Sequence, residues 1–332
     1  MFKSRIKGVG HYVPEKKITN DDLSKVMETS DEWITERTGI RERRYMTEGI
    51  DTTSSMGTKA ALLAIERANI KSEDIDMIIF ATLSPDYYFP GSGVLTQREL
   101  GLKDIPALDI RQQCAGFVYA LSIADQFIKT GMHTNILVIG SEVQSKLLEQ
   151  SNRGRNVTVL FGDGAGAVVL SRTETDNHIL STHLHSDGTD AEHLALKFPG
   201  TAKEGYWITD EMIEDGSFLP HMNGPLVYKT AIVKFPMVIK EALEANNVSS
   251  TAIDLLIPHQ ANLRIAEFVQ KKLKLRDDQV FNNIQKYGNT TAASIPIALS
   301  EAWEQGKVKE GDLICLAAFG SGFVWASALL RW

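Results

Sequence analysis

Three side chains of types that carry covalent and hydrogen-bond chemistry stand out: Cys114 in DIRQQCAGF, His259 in PHQANLRI and Asn289 in YGNTT. Before Cys114, the apolar-bounded segment from Ile105 to Ile110 reads as a strand. After it, Phe117, Ala120, Leu121, Ala124, Phe127 and Ile128 fall at helical spacing as far as Gly131. A sulfur at such a junction meets unpaired backbone N–H groups and the positive end of a helix dipole, so the expectation is a favoured thiolate, a nucleophile. Cysteine also packs as a small buried hydrophobe, and the stretch alone fits that reading too. His259 ends the strand-like run IDLLIP, where a histidine faces a crevice or sits hydrogen-bonded in the core. Asn289 by itself is ordinary turn chemistry.

The elements that position these residues read as a duplication. AIERANIKSEDIDMII (64–79) aligns without gaps on ALEANNVSSTAIDLLI (242–257). Ala64, Glu66, Asn69, Ser72, Ile75 and Asp76 all recur at one constant offset, the one that carries Asp76 onto Asp254. KTGMHTNILVIG (129–140) echoes EQGKVKEGDLICLAAFG (304–320) more loosely. The repeat predicts two similar α/β halves, 1–172 and 173–332, with strands buried on both faces between helices. Asn289 follows Cys114 at close to the same offset, so both halves are expected to present loops to one shared site.

The chain has 332 residues, 42 acidic and 35 basic, and only two cysteines, Cys114 and Cys315. An acidic balance argues against a general nucleic-acid surface, and two cysteines form no disulfide framework, which fits a reducing compartment. MFKSRIKGVGHYVP lacks the apolar core of a signal peptide, so a cytoplasmic location is expected. Leu313 to Leu330 carries no charge, but Gly320-Ser321-Gly322 splits it into LICLAAF and FVWASALL, two buried strands about a glycine turn rather than a membrane span. The glycines at 162, 164 and 166 lack the G-x-G-x-x-G spacing of a nucleotide loop and read as a tight turn between strands. His183, His185, Asp187, Asp190 and His193 read as a strand and turn, not as a closed metal-ligand set. Arg37, Arg41, Arg43 and Arg44 beside Trp33 form a cationic cluster able to take a phosphorylated, stackable ligand. Arg264, Lys271, Lys272 and Lys274 follow His259 and could dock an acidic protein.

Nearly end to end, the chain resembles the β-ketoacyl-acyl carrier protein synthase III group of the thiolase fold. The resemblance rests on SDEWITERTGIRERR, CAGFVYAL, FGDGAGAVVL, PHQANLRI, YGNTTAASIPIAL and AFGSGFVWASALL. It implies a five-layer α-β-α-β-α sandwich and a catalytic trio of Cys114, His259 and Asn289. Backbone N–H groups of Cys114 and Ser321 would form the oxyanion hole. Coenzyme A would meet Trp33, Arg37 and Arg155 (with Arg153 the alternative), and Gly224 and Asn262 along the pantetheine arm. Phe89 would line the acyl pocket, and Lys229, Arg264, Lys271 and Lys272 would dock acyl carrier protein. The implied reaction moves an acyl group from a thioester to Cys114 and condenses it with a malonyl-thioester, without metal or redox cofactor, in a homodimer.

Three departures bear on the substrate. Arg111-Gln112-Gln113 is bulky and polar where the housekeeping enzyme has small residues, Lys197 to Asn223 is longer than usual, and Pro225 replaces a polar residue. A specialised paralogue in a secondary lipid or polyketide pathway fits these changes, as does an acyltransferase that does not decarboxylate. The order Cys, His, Asn also occurs in papain-like hydrolases, and the separation of His259 from Cys114 fits their spacing, but their cysteine context is absent. A module that only holds acyl carrier protein is the remaining class.

Overall fold

Strands apolar on both sides must be covered on both sides. In the computed structural model, which describes residues 1–202 and 208–332, they form two such sheets. The first comprises β1 (Lys3–Tyr12), β2 (Met77–Ala81), β3 (Ala107–Ile110), β4 (Asn135–Glu142) and β5 (Gly164–Thr173), in the order β1-β5-β4-β2-β3. The second comprises β6 (Ile179–Ser186), β7 (Leu255–Pro258), β8 (Leu313–Gly320) and β9 (Val324–Arg331), in the order β7-β8-β9-β6. In both, the β2 or β7 strand runs parallel to its central neighbour, and the following two pairings are antiparallel. The two sheets therefore share one topology. The counterpart of β3 survives only as a single parallel bridge between Leu256 and Val280.

Helices α1 (Asp31–Thr38), α2 (Thr53–Arg67) and α3 (Gly116–Lys129) belong to the first half. Helices α4 (Gly224–Ala245), α5 (Leu263–Leu273) and α6 (Ser294–Glu304) belong to the second. One apolar core joins Phe117, Leu121, Ile295 and Leu299 of α3 and α6 to Ile79 and Val138 of one sheet and Ile257 and Leu316 of the other. These two helices form the middle layer. Helix α2 covers the outer face of the first sheet, and α4 with α5 covers that of the second, giving the five layers of the thiolase fold.

The recurrent residues do equivalent work on the backbone. Asn69 and Asn247, just past α2 and α4, hold φ of 52° and 55°, the left-handed region that asparagine tolerates best among residues with a side chain. Asp76 accepts from Thr134 N at 2.7 Å, and Asp254 accepts from Leu313 N at 2.8 Å, so each carboxylate closes a parallel strand pair at its start.

Two expectations change. The glycines at 164 and 166 are inside β5 rather than a turn, and a Cβ on Gly166 would stand 2.7 Å from the backbone of Pro296 and Ile297, so glycine admits α6 here. Arg43 leaves the cationic cluster. It is wholly buried, donating to Asn20 Oδ1 and Val159 O, each at 2.8 Å, because alternation in the short strand Glu42–Arg44 turns it inward. His183 and His185 both face Glu241 of α4, at 3.2 and 2.6 Å. Among the described residues no group of side chains could hold a metal ion, and no helix is long and apolar enough to cross a membrane.

Leu316 lies between sheet and middle helices, whereas Leu62 is on the exposed side of α2. Leu316→Ala should cost about 2–5 kcal/mol and Leu62→Ala less than about 0.5 kcal/mol, read from urea unfolding.

Candidate active site

Cys114 sits in a 3-10 turn, Gln113–Ala115, between β3 and α3. Gln113 holds φ 43°, and its equivalent at the repeat offset, Thr291 just ahead of α6, holds φ 46°. Such backbone is disfavoured for residues with a Cβ and persists where the surroundings dictate it. By that offset the true counterpart of Cys114 is Ala292, and Asn289 enters from earlier in the same turn. A Cβ on Gly116 would meet Ala292 Cβ at 3.3 Å, so the two turns pack against each other.

The end of β8 closes the other side. A Cβ on Gly320 would fall 2.7 Å from Cys114 Cβ and 3.2 Å from Sγ, so only glycine fits. The backbone N–H groups of Cys114 and Ser321 both favour negative charge on the sulfur, as the donor pair expected of an oxyanion hole would. The hydroxyl of Ser321 donates to Leu194 O.

His259 follows β7, and its N–H donates to Ala317 O of β8 at 2.8 Å. Its Nδ1 lies 2.6 Å from Ser294 Oγ at the start of α6, and its Nε2 is buried without a partner among the described residues. Asn289 hangs beside Leu160 and Gly162 by backbone bonds, and its Oδ1 accepts from Thr291 N at 2.8 Å. Histidine and asparagine are thus both anchored to the 289–294 segment, whose Thr291 lines a cavity together with Cys114 and Ser321. The turn that carries Cys114 thus packs against the segment that anchors His259 and Asn289. Sequence reasoning missed Ser294, Thr291, Gly320 and Glu142; TAAS after GNT marked the first pair's segment without showing what the hydroxyls bind.

Burial decides the protonation states. It pushes the Cys114 thiol up to about 12, and the charge of Glu142 adds to the rise, while the two N–H donors pull the other way. The expected thiolate is therefore not the resting form: desolvation outweighs the helix terminus. Burial lowers His259 to about 3, which keeps the imidazole neutral at physiological pH.

The cavity, about 380 Å³, has mostly apolar walls: Leu83, Leu147, Leu148, Phe161 and Leu196 among them. Arg111, Gln113 and Gln144 supply polar side chains near the sulfur. Part of the long segment after Lys197 contributes Phe198, Pro199, Pro220, His221 and Met222, while its residues 203–207 lie outside the described chain. Phe89, expected in this wall, is absent from it. It is 80% exposed, because the loop after β2 lays Tyr87 and Tyr88 along the cavity and turns Phe89 out.

Trp33 of α1 is flanked by the guanidinium groups of Arg37 at 4.5 Å and Arg155 at 5.0 Å. Arg153 instead binds Glu149 at 2.8 Å and Glu214 O at 2.7 Å. Asn262 caps α5 through Arg264 N and donates to Arg37 O at 2.9 Å, joining α1 to α5. Around Gly224 the nearest atom to an added Cβ is Met222 Cε at 3.8 Å, so space remains beside the start of α4. Lys229, Arg264, Lys271 and Lys272 are exposed, and none pairs with a carboxylate among the described residues.

Comparison with known proteins agrees with this geometry. Residues 108–188 match the family model for 3-oxoacyl-[acyl-carrier-protein] synthase III, and residues 243–332 match the model for its C-terminal part. The chain belongs to that family. It is 46% identical over 327 residues to the β-ketoacyl-[acyl-carrier-protein] synthase III of Caldanaerobacter subterraneus subsp. tengcongensis, covering 98% of this chain and 97% of the relative. The crystal structure of the Aquifex aeolicus VF5 3-oxoacyl-[acyl-carrier-protein] synthase III superposes with a TM-score of 0.91 at 44% identity, covering 99% of this synthase and all of that chain. The priming β-ketosynthase of the R1128 polyketide pathway gives 0.89 at 31% identity, covering 99% and 96%.

In a Cys315→Ser background, iodoacetamide should label Cys114 more slowly at pH 7 than it labels free cysteine. The rate should rise about tenfold per pH unit with no plateau below pH 10, as thiolate fraction dictates. A plateau near pH 7 in mass-spectrometric labelling would mean that the helix terminus prevails.

Proposed function

We propose that this synthase condenses an acyl-thioester primer, delivered as acyl-coenzyme A, with malonyl-acyl carrier protein to give a β-ketoacyl-thioester. The reading is carried by one observation: the turn that holds Cys114 packs against a segment that anchors both a neutral histidine and an asparagine.

In the first step Cys114 sulfur attacks the thioester carbonyl, whose oxygen takes the N–H groups of Cys114 and Ser321. The C–S bond to coenzyme A breaks, and the thiol proton leaves with the coenzyme A sulfur, so no net base is consumed. In the second step the malonyl-thioester loses carbon dioxide, and the electron pair of that bond becomes an enolate. His259 Nε2–H and the Asn289 amide donate to the enolate oxygen. A Ser294 hydroxyl that donates to Nδ1 leaves the proton on Nε2, the tautomer this role needs. The enolate carbon attacks the acyl carbonyl, and cysteine sulfur leaves and regains a proton.

The apolar cavity takes the acyl chain. Its polar side chains near the sulfur, Arg111, Gln113 and Gln144, suit a specialised primer. Coenzyme A stacks its base on Trp33, sets its phosphates against Arg37 and Arg155, and runs its pantetheine arm past Gly224 and Asn262. Lys229, Arg264, Lys271 and Lys272 receive the acidic carrier protein. Phe89, with exposed Tyr87, Tyr88, Val94 and Leu108 around the open edge strand β3, forms the face of a homodimer.

Cys114→Ala should leave no acyl-enzyme on intact-protein mass spectrometry. His259→Ala and Asn289→Ala should still be acylated but release no carbon dioxide from malonyl-thioester; loss of acylation in either refutes this division. Arg264→Glu should lower kcat/KM about tenfold for carrier-protein substrates and little for coenzyme A substrates. Equal effects on both would remove the docking role.

A further inference from the structure

One buried ionisable group beside the nucleophile has no part in the steps above. Glu142, the last residue of β4, is wholly inaccessible. Its Oε2 accepts from Thr82 Oγ1 at 3.2 Å, Ser84 Oγ at 2.6 Å, Leu83 N at 3.2 Å and Gln144 Nε2 at 3.3 Å. Its Oε1 accepts from Leu83 N at 3.3 Å and Ala292 N at 3.4 Å, and the Thr291 hydroxyl, which accepts from Gln144 Nε2 at 3.3 Å, also favours the charged carboxylate.

Every one of these partners is a donor. The N–H groups of Leu83, Ala292 and the Gln144 amide can only donate, so an acceptor-only carboxylate is the form this cage suits. Burial pushes its pKa up to about 7, and the hydrogen bonds oppose the rise. No lysine, arginine or histidine shares the cage among the described residues. The titratable group that feels its charge is Cys114.

The donors come from both halves. Thr82, Leu83 and Ser84 follow β2, whereas Thr291 and Ala292 form the turn before α6. That turn fixes Asn289 through Thr291 N and leads directly to Ser294, the partner of His259. We propose that Glu142 is a positioning residue for condensation: its carboxylate clamps the Thr291–Ala292 turn to the Thr82–Ser84 loop, setting the Asn289 amide and His259 imidazole at the sulfur while holding a negative charge against it.

The two effects oppose each other, which gives the role a signature that general loosening lacks. The clamp favours enolate formation, and the charge disfavours thiolate. The inference rests on the proposed condensation, and the parent enzyme separates the two: acylation without malonyl consumption there would sink the condensation itself.

In Glu142→Gln, an isosteric change that removes the charge and sets an amide N–H against the donors, carbon dioxide release should fall at least about tenfold in kcat, with little change in KM for the malonyl-thioester. Iodoacetamide labelling of Cys114 at pH 7.5 should meanwhile rise about tenfold, one pKa unit of thiolate. Glu142→Asp, which keeps the charge, should label at the parental rate and recover part of the condensation. Thr291→Val keeps the carboxylate and removes one donor of the clamp; it should lose condensation without faster labelling, and it decides the matter should Glu142→Gln not fold. Labelling and condensation falling together in a folded variant, or neither changing, overturns the proposal.

Discussion

Backbone must approach backbone with almost nothing between. The turns that start α3 and α6 pack as Gly116 against Ala292, and Gly320 brings the end of β8 onto Cys114 with no room for a methyl group. That closeness lets N–H groups from two different elements reach one sulfur. It also buries the sulfur, and that burial sets the electrostatics of the whole site.

Burial keeps the thiol and imidazole neutral at rest. In the proposed mechanism reactivity therefore depends less on a standing thiolate than on donors aimed where charge develops, the N–H pair for the first oxyanion and the imidazole and amide for the enolate. A fixed low-dielectric cage strengthens such donors, because nothing reorients when the charge appears. The same cage would make a misplaced donor costly, which accounts for the density of hydrogen bonds around the 289–294 segment.

Much of this was legible in the sequence, for reasons the structure makes concrete. The repeat could be read because Asp76 and Asp254, and Asn69 and Asn247, serve backbone needs that few residue types satisfy. The cysteine and histidine could be singled out because each follows a strand that periodicity locates, whereas the asparagine stood in an ordinary turn and was marked by its offset from Cys114 and by the family resemblance. What escaped depends on three-dimensional surroundings. A lone Arg in ERR gives no sign that alternation will bury Arg43, and a Phe beside two tyrosines gives no sign of which ring turns out. Desolvation of Cys114 is a property of the assembled layers. The near-coincidence of Asn289 with the cysteine offset pointed to the right loop but the wrong equivalence, since the matching residue is Ala292.

The cavity is built from segments outside the sandwich, so its dimensions could drift in evolution with little consequence for the core. One contact limits that freedom. The Ser321 hydroxyl donates to the carbonyl of Leu194, and Leu194 belongs to the wall, while the Ser321 backbone is proposed to serve the reacting carbonyl. Resizing the chamber by moving that wall pulls on the loop that stabilises the tetrahedral intermediate. Changes in chain-length preference are therefore tied to turnover at this point, and side-chain replacements that leave the Leu194 backbone in place are the route that escapes the penalty.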